Sequence, residues 1–322
     1  MNRRRFVVAS TVLLLVITAA VAGVAYYSDF VAKAFMQGLP NAIRYFPADT
    51  QAVFGMNVPK FVASPVYAQI LQQHEQEIGT SLAEFVAKTG VDPTKDIDYV
   101  IGAGRPAPQK SAGVVIAVGR FNQTTITNFI KSQCTPIELQ YQGATVLMWP
   151  EADRLQKGIA FLSAAEIALG DLDSLHAVLD VRVGAPGIYT NPTLRDLLNG
   201  LNPDEMFWFA GDSTVLSNVP ANAPMVPSLS AIKSVFGTLS LSNPITGRVT
   251  VTAKDETAAG QLADFARGIV ALGNLAGAQN PDLAALAAGV HITQAGNQFN
   301  VSLNVPLDLL QKLEASRAHI IK

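Results

Sequence analysis

The densest group of chemistry-bearing side chains in this sequence is Asp171, Asp173 and His176. Two carboxylates and an imidazole so close together could hold a divalent cation. Their place along the chain gives them another role. An apolar strand over 166–170 ends immediately before them, and a helical pattern follows to residue 180. An acid at such a junction accepts from the amides left open in the first helical turn, and a second acid there complements the helix dipole. Asp171 is therefore read as a helix cap, Asp173 and His176 as surface residues, and no metal ligand is assigned.

The remaining motifs assign no catalytic or cofactor-binding residue either, and no cofactor is expected. A serine nucleophile is usually announced by a tight glycine-flanked turn, G-x-S-x-G, and none is present. His74-Glu75-Gln76-Glu77 lacks the second histidine that a zinc-protease helix needs, position 78 being isoleucine. His74, His176, His291 and His319 fall in separate elements, and Cys134 ends a predicted helix without a histidine beside it. Gly102-Ala103-Gly104 lacks the third glycine of a dinucleotide loop and is expected to form a turn leading to Arg105-Pro106. A single cysteine also leaves no internal disulfide.

Positioning these residues begins with the membrane. Residues 6–27 form an uncharged run of 22, preceded by Arg3, Arg4 and Arg5. As a helix the run spans about 30 Å, the thickness of a bilayer's hydrocarbon core. Basic residues resist translocation, so the N-terminus is expected in the cytoplasm and the chain from Ser28 outside. Its length and the interfacial pair Tyr26 and Tyr27 favour a retained single-pass anchor. The alternatives are a signal peptide cleaved after Ala20-Val21-Ala22 and, from Arg3-Arg4-Arg5-Phe6-Val7, twin-arginine export. The expected location is the cytoplasmic membrane, with a periplasmic or otherwise extracytoplasmic domain.

Past the anchor, 20 basic residues face 25 acidic ones, with no basic cluster, which excludes a nucleic-acid surface. Only 15% of the chain is charged and 49% is apolar, so the surface is unusually neutral. Small polar residues can cover a domain this way; so can an apolar face meant for a lipid or partner.

The pattern predicts a tether over 28–46 containing a short helix at 30–36, then two α+β halves, 47–200 and 201–322. Strands are expected over 52–57, 99–103, 113–119, 137–141, 144–149, 158–162 and 166–170, with Gln142-Gly143 as a hairpin turn. Helices are expected over 65–88, 122–132, 171–180 and 191–199, Ser64-Pro65 and Asn191-Pro192 each supplying a cap and a first-turn proline. The second half offers strands over 206–210, 234–242, 247–253, 291–293 and 298–304, and a proline-rich connection over 220–227. Its helices run over 255–279, from 281, and over 306–316. Several strands pass straight into a helix after a short polar step, and Met56-Asn57-Val58-Pro59 echoes Leu303-Asn304-Val305-Pro306. This internal repeat suggests two related antiparallel sheet-and-helix layers built from split βαβ-like units, with helices segregated to one face.

Phe46-Pro47-Ala48-Asp49-Thr50 entering a strand after an N-terminal anchor, Ala63-Ser64-Pro65 before one helix and Leu169-Gly170-Asp171 before another resemble a group of membrane-anchored, exported bacterial proteins of unknown function. That resemblance implies no activity. With an anchor, low charge and repeated sheet units but no catalytic set, the leading expectation is a non-catalytic envelope protein presenting an interaction or scaffolding surface to another envelope protein. A periplasmic carrier of an apolar ligand, lipid or peptide, is the alternative, and an anchored enzyme comes third.

Overall fold

A computed structural model of the chain describes residues 40–105, 112–149, 157–202, 204–213, 231–276, 281–309 and 312, and of 74–80, 112, 275, 276 and 283 the backbone alone. The apolar run 6–27, the expected tether helix, the connection 220–227 and most of the final helix lie outside the described residues. The class is α+β, the strands within each unit pair antiparallel, and two compact units divide between Asp204 and Glu205.

The first unit opens on a 3-10 turn, Asn41–Tyr45, and β1 (Ala52–Asn57). Three helices follow, α1 (Val58–Val62), α2 (Pro65–Thr89) and α3 (Pro93–Asp96), then β2 (Ile97–Arg105) and β3 (Ala112–Gly119). After α4 (Gln123–Gln133) come four strands, β4 (Ile137–Tyr141), β5 (Ala144–Trp149), β6 (Lys157–Ser163) and β7 (Glu166–Asp171), and last α5 (Leu172–Arg182) and α6 (Pro192–Asn199). Their order in the sheet is β1-β2-β3-β7-β6-β5-β4. The chain thus lays down three strands, crosses through α4 to the far edge, and returns strand by strand until β7 closes on β3.

Local chemistry sets the boundaries. Asn57, Ser64, Asp92, Asn122, Asp171 and Asn191 each accept a hydrogen bond from a first-turn amide of the helix that follows. Helix α2 stops at Gly90, whose φ of 68° is the left-handed cap that glycine adopts without a Cβ penalty. Gln142 and Gly143, both at positive φ, turn β4 into β5 as a two-residue hairpin requires. Gly102-Ala103-Gly104, expected as a turn, instead lies inside β2, with the Phe54 ring resting over Gly102 from the facing position of β1.

Helices cover both faces of this sheet, not one. On one face Val58, Val91, Ile126 and Ile130 close over Ala117, Leu147, Ile159, Phe161, Ile167 and Leu169. On the other, α5 runs over β3, β6 and β7. The strand residues of alternate parity there include Gly158, Ala160, Ala168 and Gly170, small enough for Leu175, Val178 and Leu179 to be fully buried. Covering both faces is what makes these strands read as nearly continuous apolar runs.

The second unit holds β8 (Phe207–Asp212), β9 (Ile232–Ser240), β10 (Ile245–Ala253), α7 (Glu256–Ala276), α8 (Pro281–Ala288), β11 (Val290–Ala295) and β12 (Gln298–Val305), in sheet order β8-β9-β10-β12-β11. Because β12 pairs antiparallel with both β10 and β11, the last two are parallel with one strand between them. The excursion through α7 and α8 is therefore a split crossover. Helix α7, capped by Asp255 accepting from the Ala258 amide, lays Ala259, Leu262 and Ala263 on Val251, Ala253 and Phe299. Polar positions facing the other way along the strands include Arg248, Thr250, Asn300, His291 and Thr293.

Candidate functional site

The structure separates the residues that the sequence brought together. The Asp171 carboxylate turns inward: Oδ1 accepts from the Ser174 amide at 2.9 Å, and Oδ2 from the Ser174 hydroxyl at 2.9 Å and the Gly113 amide of β3 at 3.0 Å. Burial alone would raise its pKa, but the Ser174 and Gly113 amides and the Ser174 hydroxyl outweigh it and hold the group below the usual carboxylate value. His176 stacks on Tyr141 at the end of β4, ring centroids 3.8 Å apart. Asp173 contributes its backbone, the carbonyl accepting from Arg105 Nη1 at 3.4 Å. Among the described residues no group of three His, Cys, Asp or Glu side chains is placed to hold a metal ion.

The other candidates are as dispersed. His291 is exposed on β11, the side chain of His74 and the whole of His319 lie outside what is described, and Cys134 ends α4 half-buried, its thiol pKa raised by burial. Tyr141 and Gln142 both donate to Asp180 Oδ1, at 2.9 and 3.0 Å, which ties the β4–β5 hairpin to α5.

What the fold does assemble is a cleft in the first unit that no sequence motif marks. Its volume is about 500 Å3, and Arg44, Tyr45, Arg182, Tyr189 and Thr190 line it together with Val181, Ala185 and Gly187. One wall is the 3-10 turn Asn41–Tyr45 and the other is the end of α5 with the loop beyond it. The segment Phe46-Pro47-Ala48-Asp49-Thr50 locks the two together. Phe46 is fully buried, its carbonyl accepts from the Ile188 amide at 2.7 Å, Pro47 bridges to Gly187, and the Ala48 amide donates to Pro186 at 3.2 Å. Asp49 then receives Arg105 through both oxygens, from Nε at 2.9 Å and Nη2 at 2.7 Å, and this pairing keeps the Arg105 pKa raised.

The cleft is cationic and aromatic. Among the described residues Arg44 donates only to the Tyr45 hydroxyl, at 3.4 Å, and it stands over that ring at 5.2 Å from its centroid. That hydrogen bond holds the Arg44 pKa above its ordinary value, and burial raises that of Tyr189. Arg44 and Arg182 have no carboxylate within ion-pair distance among the described residues. A guanidinium carries five N–H donors, so the pair can receive an anion bearing several oxygens. The sequence hid this site because 138 positions separate the two arginines. The legible part of the signal is 183–187, Val-Gly-Ala-Pro-Gly, a loop without one polar side chain directly after an arginine.

No family model matches this chain, and no curated protein matches it. Among solved structures it is similar to one described as crystal form III of TP0453, with a TM-score of 0.50 at 10% identity over 85% of this chain and 97% of that one. Crystal form I of TP0453 gives 0.49 at 10% identity over 86% and 97% of the two chains. Crystal form IV gives 0.46 at 8% identity. The likeness to form III is one of fold.

Proposed function

We propose that the chain is a single-pass envelope protein, held in the cytoplasmic membrane by residues 6–27 and presenting a non-catalytic interaction or scaffolding domain on the extracytoplasmic side. The join at Phe46–Thr50 carries this reading. The approach segment does not trail into the domain; it is set into it by a buried aromatic ring, two backbone hydrogen bonds and a two-oxygen ion pair. Set in this way, the chain enters the domain at one fixed point, which suits a domain presented from an anchor more than one that diffuses freely. The surface it offers a partner is the polar strand face of the second unit, where His291, Thr293 and Arg248 are exposed. The join also defines the test. Because Ala42, Ile43 and Phe46 are buried, a chain shortened to begin at Leu39 should leave the membrane fraction folded, whereas one beginning at Asp49 should be soluble but less stable. The full chain should resist carbonate extraction, and a mature N-terminus at Gly23 would overturn the anchor.

One observation favours the carrier as a second reading: on α7, Ile269 and Leu272 are 54% and 60% exposed. Copurifying lipid in a native mass spectrum, lost on replacing both residues by serine, would move the assignment to that class.

A further inference from the structure

We propose that the loop 183–187 and the cleft beside it dock on a bilayer surface bearing anionic headgroups, with Arg44 and Arg182 receiving the phosphoryl oxygens. The inference rests on the anchored reading for the direction in which the cleft faces.

Three independent features meet here. The first is charge: two exposed guanidinium groups line an open cleft, neither bound to a helix-end carbonyl nor to a carboxylate among the described residues, so most of their donors are open to a ligand. Each stands in the last turn of its helix, where a cation merely answering the dipole would be expected to bond the terminal carbonyls, and neither does.

The second is the loop. Val183 is 59% exposed and Ala185 and Pro186 are exposed with it, while Tyr189, 37% exposed, and Tyr45 flank the arginines. An exposed apolar loop with aromatic and cationic side chains beside it brings together the three kinds of side chain that meet hydrocarbon, interface and headgroup at a bilayer surface.

The third is chain length. Arg44 follows Tyr27 by 17 residues, and the join fixes the approach segment to the same loop that carries Val183. Even fully extended, the segment between Tyr27 and Pro40 reaches only about 45 Å. The chain thus enters the first unit beside the cleft, and the anchor holds that entry point within about that distance of the membrane.

The test uses the full-length chain in nanodiscs, with Cys134→Ser and Val183→Cys carrying an environment-sensitive fluorophore. In phosphatidylglycerol discs the probe should shift to the blue and be quenched by lipid-borne nitroxide, and in phosphatidylcholine discs much less. Each arginine near a charged surface contributes about fivefold to association, so Arg44→Gln and Arg182→Gln should each lower the docked-to-free ratio by about that factor. A Thr293→Cys probe in the second unit should not respond. Inorganic phosphate at millimolar concentration should leave the Val183 signal unchanged. A probe that stays in water in phosphatidylglycerol discs while melting is normal overturns the proposal. So does one displaced by phosphate, which would make the cleft a small-anion site. Carbonate extraction of the same samples keeps the two ideas apart: a protein that resists extraction with an undocked loop refutes docking alone, and one that is washed out refutes the anchor.

Discussion

Replacing Asp171 by alanine separates a cap from a strap. A cap alone is worth about 1 kcal/mol. The structure adds the Gly113 amide on β3, a part-buried donor that alanine would leave without a partner, at a cost of about 1 to 3 kcal/mol. The sum is about 3 kcal/mol, or roughly 6 to 12 °C in melting temperature for a unit of this size. Asparagine distinguishes the two contributions. Its single carbonyl oxygen can keep the Ser174 amide, but its NH2 then opposes the Gly113 N–H, so it should fall near the midpoint between wild type and alanine. Capping alone would leave it close to wild type. The pH dependence follows from the depressed folded pKa. The contribution is present above the unfolded value, about 3.9, and is lost as pH falls below it toward the folded one, so the deficit of Asp171→Ala should shrink in acid. Melting followed by circular dichroism between pH 2 and pH 7 measures all of this. A drop under 1 °C for alanine would refute the account. An Asp171→Asn protein of unchanged stability that had lost a binding or catalytic activity would return Asp171, Asp173 and His176 to the position of leading site.

Tyr67 is fully buried, its hydroxyl has no hydrogen-bond partner among the described residues, and its ring packs edge-on to Phe61 at 5.3 Å. Tyr67→Phe should therefore raise stability, by about 1 kcal/mol, and a loss on denaturant titration would mean the hydroxyl is satisfied. A Cβ on Gly102 would fall within the Phe54 ring, so Gly102→Ala should cost about 1 to 3 kcal/mol in the native background and little or nothing alongside Phe54→Ala. Equal costs in both backgrounds would show that the ring is not what excludes the side chain.

The elements were legible where local chemistry is decisive. Cap residues, first-turn prolines and the Gln142-Gly143 turn act within four positions of one another, and the helices and hairpin they announce are present. Helix α1 was not announced, because five residues show no periodicity; only Asn57 followed by Pro59 could have betrayed it. The covering of the first sheet on both faces was hidden for a different reason. A strand buried on both sides loses its alternation, and nothing in Gly158, Ala160, Ala168 and Gly170 says which helix they admit. The cleft is harder still, since Arg44 and Arg182 meet only because Phe46 and Pro47 dock beside Gly187. The Phe46-Pro47-Ala48-Asp49-Thr50 segment stood out in the sequence, and its work is to make that join.

The repeat shows how space, not identity, carries structural equivalence in this chain. The echo between Met56-Asn57-Val58-Pro59 and Leu303-Asn304-Val305-Pro306 links β1, which opens a three-stranded meander, with β12, which closes a split crossover. Asn57 caps its helix by side chain, whereas the amide after Pro306 donates to Asn243. A closer correspondence joins β1 to β8. Phe54 is the third residue of β1 and faces Gly102, the sixth of β2; Phe209 is the third of β8 and faces Gly237, the sixth of β9. Each ring lies over its glycine, and each is nearly half exposed, 46% and 41%. Glycine weakens a strand, and an aromatic ring laid across it restores cross-strand packing. The requirement fixes positions within two paired strands but not the chain between them, which runs 39 residues in one case and 19 in the other. A search for a constant period must miss such a pair, and the four-residue echo it finds instead connects strands that do different work.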